Sequence, residues 1–161
     1  MRYFEDNRQM HAAGKFPGTV LLEHIPAINE LTQRFETKSV LDYGCGDGLQ
    51  YLNPSLAAAL NGAKVFLYDP PAGFNDAPGK VDGVICTDVL EHIPTEELGL
   101  ALEAMNSLRP RWAFFTVCCR AAKKTLPSGV NAHVTLRPLD WWQRLLGEFL
   151  TDVHVEVRET K

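Results

Sequence analysis

Val40-Leu41-Asp42-Tyr43-Gly44-Cys45-Gly46-Asp47-Gly48 is the stretch whose reading decides the fold. An apolar strand runs into an acid, and glycine then takes every second position before a helical segment begins. A residue without Cβ tolerates positive φ, so the turn can be tight and a ligand can press against its backbone. A helix starting there would aim its free amide N–H groups at that ligand. Strand, glycine turn and helix together describe a nucleotide-type pocket at the top of an α/β sheet.

Working outward, strands and helices alternate. On the N-terminal side, Leu21, Leu22, Ile25, Ile28, Leu31 and Phe35 recur three or four apart, which predicts a helix that Pro26 divides into a short turn and a longer piece. The first eighteen residues end in Phe16-Pro17-Gly18, show no period and read as an arm or lid. Beyond the glycine turn a helix is expected to about Asn61, irregular near Pro54 and stopped by Asn61-Gly62. Lys64–Tyr68 is a buried-type strand ending at Asp69-Pro70-Pro71, and a loop rich in Pro, Gly and Asn runs from Ala72 to Lys80. Val81–Thr87 is the next strand. Thr95 is expected to cap a helix reaching Leu108, with Glu96 and Glu97 suited to its positive end. Arg111–Cys119 is a third buried-type strand, 120–137 a long loop, Leu139–Leu150 a helix and Val153–Val157 a last strand. This pattern implies a mostly parallel sheet with helices on both faces, and ligands in such sheets bind beyond the carboxyl ends of the strands.

With 161 residues, 45% apolar and 22% charged, the chain fits one globular domain. Charge, glycine or proline interrupts every candidate membrane span, and the opening Met1-Arg2-Tyr3-Phe4-Glu5-Asp6 lacks the apolar core of a secretion signal. Cys45, Cys86, Cys118 and Cys119 match neither zinc-ligand nor disulfide-scaffold spacing, so reduced thiols in a cytoplasmic protein are expected. A net charge of −4 argues against a nucleic-acid coat. Yet seven basic residues stand against one acid, Asp140, between Arg109 and Arg144.

Asp69 follows Gly48 by 21 positions (69 − 48) at the end of the second strand, where an acid can accept both ribose hydroxyls of an adenosine ligand. Leu49 follows Gly48, so the third glycine of the dinucleotide fingerprint is absent and a nicotinamide dehydrogenase is a distant reading. Asp-x-Gly-x-Gly-x-Gly, the strand-end Asp69 and Asp88-Val89-Leu90-Glu91-His92-Ile93 together resemble the class I S-adenosylmethionine-dependent methyltransferases, over roughly Val40 to Cys119. The wording of these motifs with Asn131-Ala132-His133 and Trp141-Trp142 resembles a small phage and bacterial subgroup.

The resemblance implies a Rossmann-like methyltransferase fold with S-adenosylmethionine as cofactor and S-adenosylhomocysteine as product. Gly44, Cys45 and Gly46 would back the methionine moiety, and Asp42 would order that turn or hold the ligand's amino group. Asp69 would take the ribose, the Phe74–Asp76 loop would cover the adenine, and Thr87 and Asp88 would lie beside the sulfonium. Only twelve residues, 70–81, separate Asp69 from Asp82, so the family's third strand and the helix before it are expected to be missing. Asp69-Pro70-Pro71 is not the Asp-Pro-Pro-aromatic signature of amino-methylating DNA enzymes: it follows the wrong strand, and Ala72 replaces the aromatic residue. The expected division is residues 1–36 as arm and helix, 37–119 as cofactor core, 120–138 as acceptor loop and 139–161 as a closing helix and strand.

A sulfonium carries its own leaving group, so the protein mainly aligns a nucleophile and, for a hydroxyl or protonated amine, accepts a proton. His133 on the long loop is the leading proton acceptor, with Asp88 and His92 beside it. Asn131, Lys123, Lys124 and Trp141 are the expected substrate contacts, the lysines pointing to an anionic or polar small molecule such as a sugar or glycan precursor. Asp88-x-x-Glu91-His92 is similar to the Glu-x-x-Glu-His of ubiquinone-pathway O-methyltransferases, where those residues bind a divalent metal. Relatives keep Leu-Glu-His without a known metal, so no metal is assigned and a divalent ion stands as the lesser alternative. His11, His24 and His154 read as surface or packing residues. Two rival functions stay open: a non-catalytic S-adenosylmethionine-binding protein, and a methyltransferase acting on RNA or protein.

Overall fold

Six strands are placed around the one that feeds the glycine turn. A computed structural model describes residues 2–160. In chain order the strands are β1 (Ser39–Tyr43), β2 (Lys64–Asp69), β3 (Phe74–Asn75), β4 (Gly83–Thr87), β5 (Trp112–Val117) and β6 (His154–Glu159). They form one sheet in the order β3-β2-β1-β4-β5-β6, and all pairs are parallel except β2 with β3. Every residue of β4 and β5 is buried, as expected for parallel strands covered on both faces.

Helices α1 (Arg2–Ala12), α2 (Ile25–Arg34), α3 (Pro54–Ala59), α4 (Leu98–Ser107) and α5 (Leu139–Phe149) complete the fold. The period of two along each strand sorts the core into two layers. Val40, Ile85, Trp112 and Phe114 face α2 and α3, packing on Ile28, Leu31 and Leu56. Leu41, Val84, Cys86, Ala113 and Phe115 face α4 and α5, packing on Leu102, Met105, Trp142 and Leu146.

Four local expectations change. The N-terminal arm is helical over α1, whose Met10 joins Leu126 and Ala132 in a small core of its own. The helix expected after Gly48 is broken into a 3-10 turn, Leu49–Leu52, and α3, because Pro54 has no N–H and Asn53 caps the second piece through Ser55 and Leu56 N–H. Thr95 does not cap α4; a 3-10 turn over Thr95–Glu97 precedes that helix, and the Thr95 hydroxyl meets that of Thr135 at 3.1 Å. Between β2 and β4 the described residues hold no α-helix, only a 3-10 turn over Pro70–Ala72, so the sheet is reduced as anticipated. The proline- and glycine-rich loop nevertheless adds the two-residue β3 at the edge.

Candidate active site

The carboxyl ends of β1, β2, β4 and β5 open into a cleft of about 1050 Å3, a size that suits a cofactor together with a small acceptor. Gly44 and Gly46 line it after β1, Asp69 and Pro70 after β2, and Thr87, Asp88 and His92 after β4. Arg120, Lys123, Lys124 and His133 close it from the long loop, and α1 brings Phe4 and His11.

At the glycine turn the close approach is made by the chain itself. A Cβ on Gly46 would stand 2.7 Å from the Phe16 carbonyl oxygen, one on Gly18 would stand 2.0 Å from the Cys45 carbonyl oxygen, and both residues have positive φ. Phe16, Pro17 and Gly18 offer their carbonyls to the N–H groups of Asp47, Leu49 and Gln50. The amides expected to face a ligand are therefore used to bind this segment. Gly44 is needed because Val89 packs against it, its methyl 2.3 Å from where a Cβ would be.

Asp42 is fully buried and accepts hydrogen bonds from Gln50 Nε2 and Tyr51 OH, both at 2.7 Å. Burial pushes its pKa up to about 7 against the pull of those two donors. It orders the turn from beneath and is not on the cleft wall, and its Oδ1 has no partner. Cys45 is also buried, its thiol donating to the Gly46 carbonyl, so only the backbone of this residue type matters here. Phe74 stands behind Gly48 at the sheet edge and is not on the cleft wall.

Asp69 is on the wall, and both its oxygens are engaged. Gly46 N–H donates to Oδ2 at 2.9 Å, and His11 Nε2 lies 3.4 Å from Oδ1. The other ring nitrogen of His11 is 3.2 Å from Asp47 Oδ1. Burial disfavours the charged form of this imidazole, but Asp69 and then Asp47 outweigh it and raise the pKa. His11, read from the sequence as a surface or packing residue, is thus the clasp by which α1 closes over Asp69. No local signal marks it, since its partners are 36 and 58 positions away (47 − 11 and 69 − 11).

Past β4 the wall is built differently. Asp88 adopts φ +53°, donates its N–H to the Thr116 carbonyl and hydroxyl, and accepts at Oδ1 from the hydroxyls of Thr116 and Thr160. Its carboxylate is therefore tied to β5 and the end of β6. Glu91 is fully buried; Oε1 accepts from Cys118 N–H at 2.9 Å, while Oε2 has no partner. Burial, and then the charge of Asp88, raise its pKa to about 8. His92 Nδ1 meets the Ala132 carbonyl at 2.8 Å, and its ring stands edge-on to Phe16 and to His133, the latter with centroids 4.8 Å apart. Burial, and then His133, lower the His92 pKa to about 4, so the ring is neutral. His133 Nδ1 in turn meets the Arg120 carbonyl at 2.6 Å.

Two expected substrate contacts lie elsewhere. The Asn131 side chain staples its own loop, accepting from Ala122 and His133 N–H and donating to the Ala122 carbonyl. Trp141 packs at right angles on the buried Trp142 with Arg137 over its face, away from the cleft. Lys123 and Lys124 do reach the wall, although Lys124 spends its ammonium on the Lys15 carbonyl above the Phe16 ring.

A mostly parallel α/β sheet with a glycine turn, a strand-end acid and a polar loop gathered on one rim is a Rossmann-like domain. More narrowly, the chain belongs to the methyltransferase domain family, whose model matches residues 20–149. It is similar to a ubiquinone biosynthesis O-methyltransferase of Bordetella parapertussis, at 30% identity over 138 residues, covering 70% of this chain and 56% of that protein. The chain therefore spans little more than half the length of that relative. No solved structure matches it. No helix among the described residues is long and apolar enough to cross a membrane.

Proposed function

We propose that the protein transfers a methyl group from S-adenosylmethionine to an oxygen of a small polar, anionic acceptor such as a sugar or glycan precursor, with nitrogen as the lesser option. The observation that carries this reading is the convergence on one cleft of Gly44, Gly46 and Asp69 with His92, His133 and the basic residues Lys15, Arg120 and Lys123. The name of the Bordetella relative favours oxygen as the atom methylated. When bound, the cofactor supplies a methyl group on a sulfonium that already carries its leaving group.

Asp69 would hold the ribose hydroxyls, with His11 giving up or sharing Oδ1, and the backbone of Gly44 and Gly46 would support the methionine end. Thr87 and Asp88 would flank the methyl-transfer position, Asp88 as a residue that shapes the wall through Thr116 and Thr160. His133 donates from Nδ1 to a carbonyl, which leaves the Nε2 lone pair to take the acceptor's proton as the new carbon–oxygen bond forms. Lys123 and Arg120 would attract the acceptor's charge, and His92, neutral, adds none of its own.

Calorimetry with S-adenosylhomocysteine on the parent chain and on Asp69→Ala tests the cofactor half. Binding in the parent that falls at least about tenfold in the variant is expected, since charge-assisted hydrogen bonds are lost. Equal affinity would remove Asp69 from the site. The rival reading is a non-catalytic cofactor-binding role. That rival gains if the product binds but no labelled methyl group reaches any acceptor in a phosphorylated-sugar and nucleotide-sugar library.

A further inference from the structure

The methyl-transfer reading leaves one buried group unused. Glu91 is fully buried, one oxygen bonded to Cys118 N–H and the other without a partner. A carboxylate oxygen stranded this way loses its hydration and receives nothing in return. Next to it, His92 and His133 share a second peculiarity. Each ring meets a backbone carbonyl through Nδ1, at 2.8 Å to Ala132 and 2.6 Å to Arg120. A carbonyl can only accept, so Nδ1 carries the hydrogen in both rings and Nε2 presents a bare lone pair. An imidazole whose far nitrogen is pinned to a carbonyl is the usual orientation of a metal-ligating histidine.

One ligand atom from each of Glu91, His92 and His133 lies within 4.8 Å of the others. We propose that these three residues form a site for a divalent transition-metal ion, opening into the cleft at the acceptor end. The inference rests on the methyl-transfer reading for its purpose, although the binding itself does not. Two imidazole nitrogens with one carboxylate favour zinc, cobalt or iron over magnesium or calcium, which prefer all-oxygen surroundings. Donors around such an ion at bonds of about 2.0–2.1 Å lie about 3.4 Å apart in tetrahedral geometry. Closing that difference takes a shift of His133, which lies on the loop and is half-buried.

The set differs from the one the local motif suggests. Asp88-x-x-Glu91-His92 would make Asp88 the third ligand, but Asp88 Oδ1 is held by Thr116 and Thr160. His133, 41 positions beyond His92 (133 − 92), fills the place instead. Three protein ligands leave positions open, and His92 and His133 both line the cleft, so those positions face an incoming acceptor. An ion there would supply Lewis acidity toward an acceptor oxygen. His133 would then act through the ion in place of taking the proton directly.

The test uses the whole chain without a histidine tag, stripped with a chelator and titrated with Co2+ while the visible absorption is followed. The expected result is a single equivalent bound, a d–d band of four- or five-coordinate intensity, and displacement by Zn2+. His133→Ala and Glu91→Gln should each weaken binding by about a hundredfold, beyond the loss typical of changes around the ligands, while Asp88→Asn leaves it within about threefold. Should burial make Glu91→Gln unstable, His133→Ala on the loop decides alone, with circular dichroism as the folding control. Absence of a band up to about millimolar Co2+, affinity unchanged in His133→Ala, or loss in Asp88→Asn as large as in His133→Ala would each overturn the site. S-adenosylhomocysteine binding to the stripped chain is measured separately. Its failure with cobalt binding intact would sink the methyl-transfer reading alone, and the reverse would sink the metal site alone.

Discussion

The two ends of the cleft are built on opposite plans. At the glycine turn the amides and the strand-end acid are bonded inside the chain: Phe16, Pro17 and Gly18 take the amides after Gly46, and His11 with Gly46 N–H takes both oxygens of Asp69, while Asp42 Oδ1, buried beneath the turn and off the cleft, has no partner. At the end formed by His92 and His133 the backbone is equally tied, yet Glu91 Oε2 has no partner and two imidazole Nε2 atoms are left over. The first end is a closed scaffold that a ligand must enter by displacement. The second holds unmet bonding capacity, which is where chemistry can be done.

The sharpest way to break this contrast is at the backbone of the closed end. Gly18→Ala places a Cβ 2.0 Å from the Cys45 carbonyl at positive φ, with backbone on both sides unable to yield. It is expected to cost about 3 kcal/mol or more and to loosen the 16–18 segment, read by thermal unfolding; an unchanged melting temperature would show that the segment is not part of the scaffold. Gly129→Ala, also at positive φ but with open space around it, is the control and should cost only about 1 kcal/mol.

Asp69→Ala comes next, because it removes the acid shared by His11 and Gly46 N–H that the proposed cofactor would need. Product affinity should fall by about ten- to a hundredfold, while stability falls less, since His11 and the Gly46 amide can turn to water.

The clasp itself predicts a pH dependence. His11 has a raised pKa in the folded chain, so the stability it contributes is fully present below the unfolded value near 6.5 and is lost as pH rises through the folded value. Comparing melting temperatures of the parent and His11→Gln, the gap should be largest near pH 6 and close by pH 8, by no more than about 4 °C. A gap of the same size at both values would mean that packing against Phe16, 5.1 Å away, does the holding.

The smallest effect is expected at the open end's rim. Lys123→Glu should raise the acceptor KM about three- to tenfold, more at low than at high salt, with kcat little changed. Lys124→Ala should act on stability instead, because its ammonium is bonded to the Lys15 carbonyl. Equal KM for the parent and Lys123→Glu would remove the anionic acceptor.

Much of the closed end is legible in the amino-acid order, because glycine spacing and a strand-end acid are local statements about backbone and register. Asp69 does reach the cleft at the end of β2, where it accepts from Gly46 N–H, and the short link from β2 to β4 correctly announced a reduced sheet. What was misread was misread for a physical reason. Cys45 sits in the motif yet its thiol faces the interior, whereas Asp42 orders the turn, one of the two roles expected of it, through Gln50 and Tyr51. Asn131 and Trp141 have the chemistry of substrate contacts, but a loop must first satisfy its own backbone, and an amphipathic helix must first bury its aromatic face. Phe74 carries the edge strand β3 and does not wall the cleft.

From its residues alone the chain determines a parallel sheet, the glycine turn after β1, the acid after β2 and membership in a fold that binds cofactors at strand ends. These follow from periodicity of two and 3.6 and from the conformational range of glycine, which act over a few residues. Only the folded molecule decides that His11 lies on Asp69, that Phe16–Gly18 fills the room the glycines leave, and that His133 completes a cluster with Glu91 and His92. Those contacts join segments about 30 to 60 residues apart, and their geometry exists only once helix, sheet and loop have packed against one another.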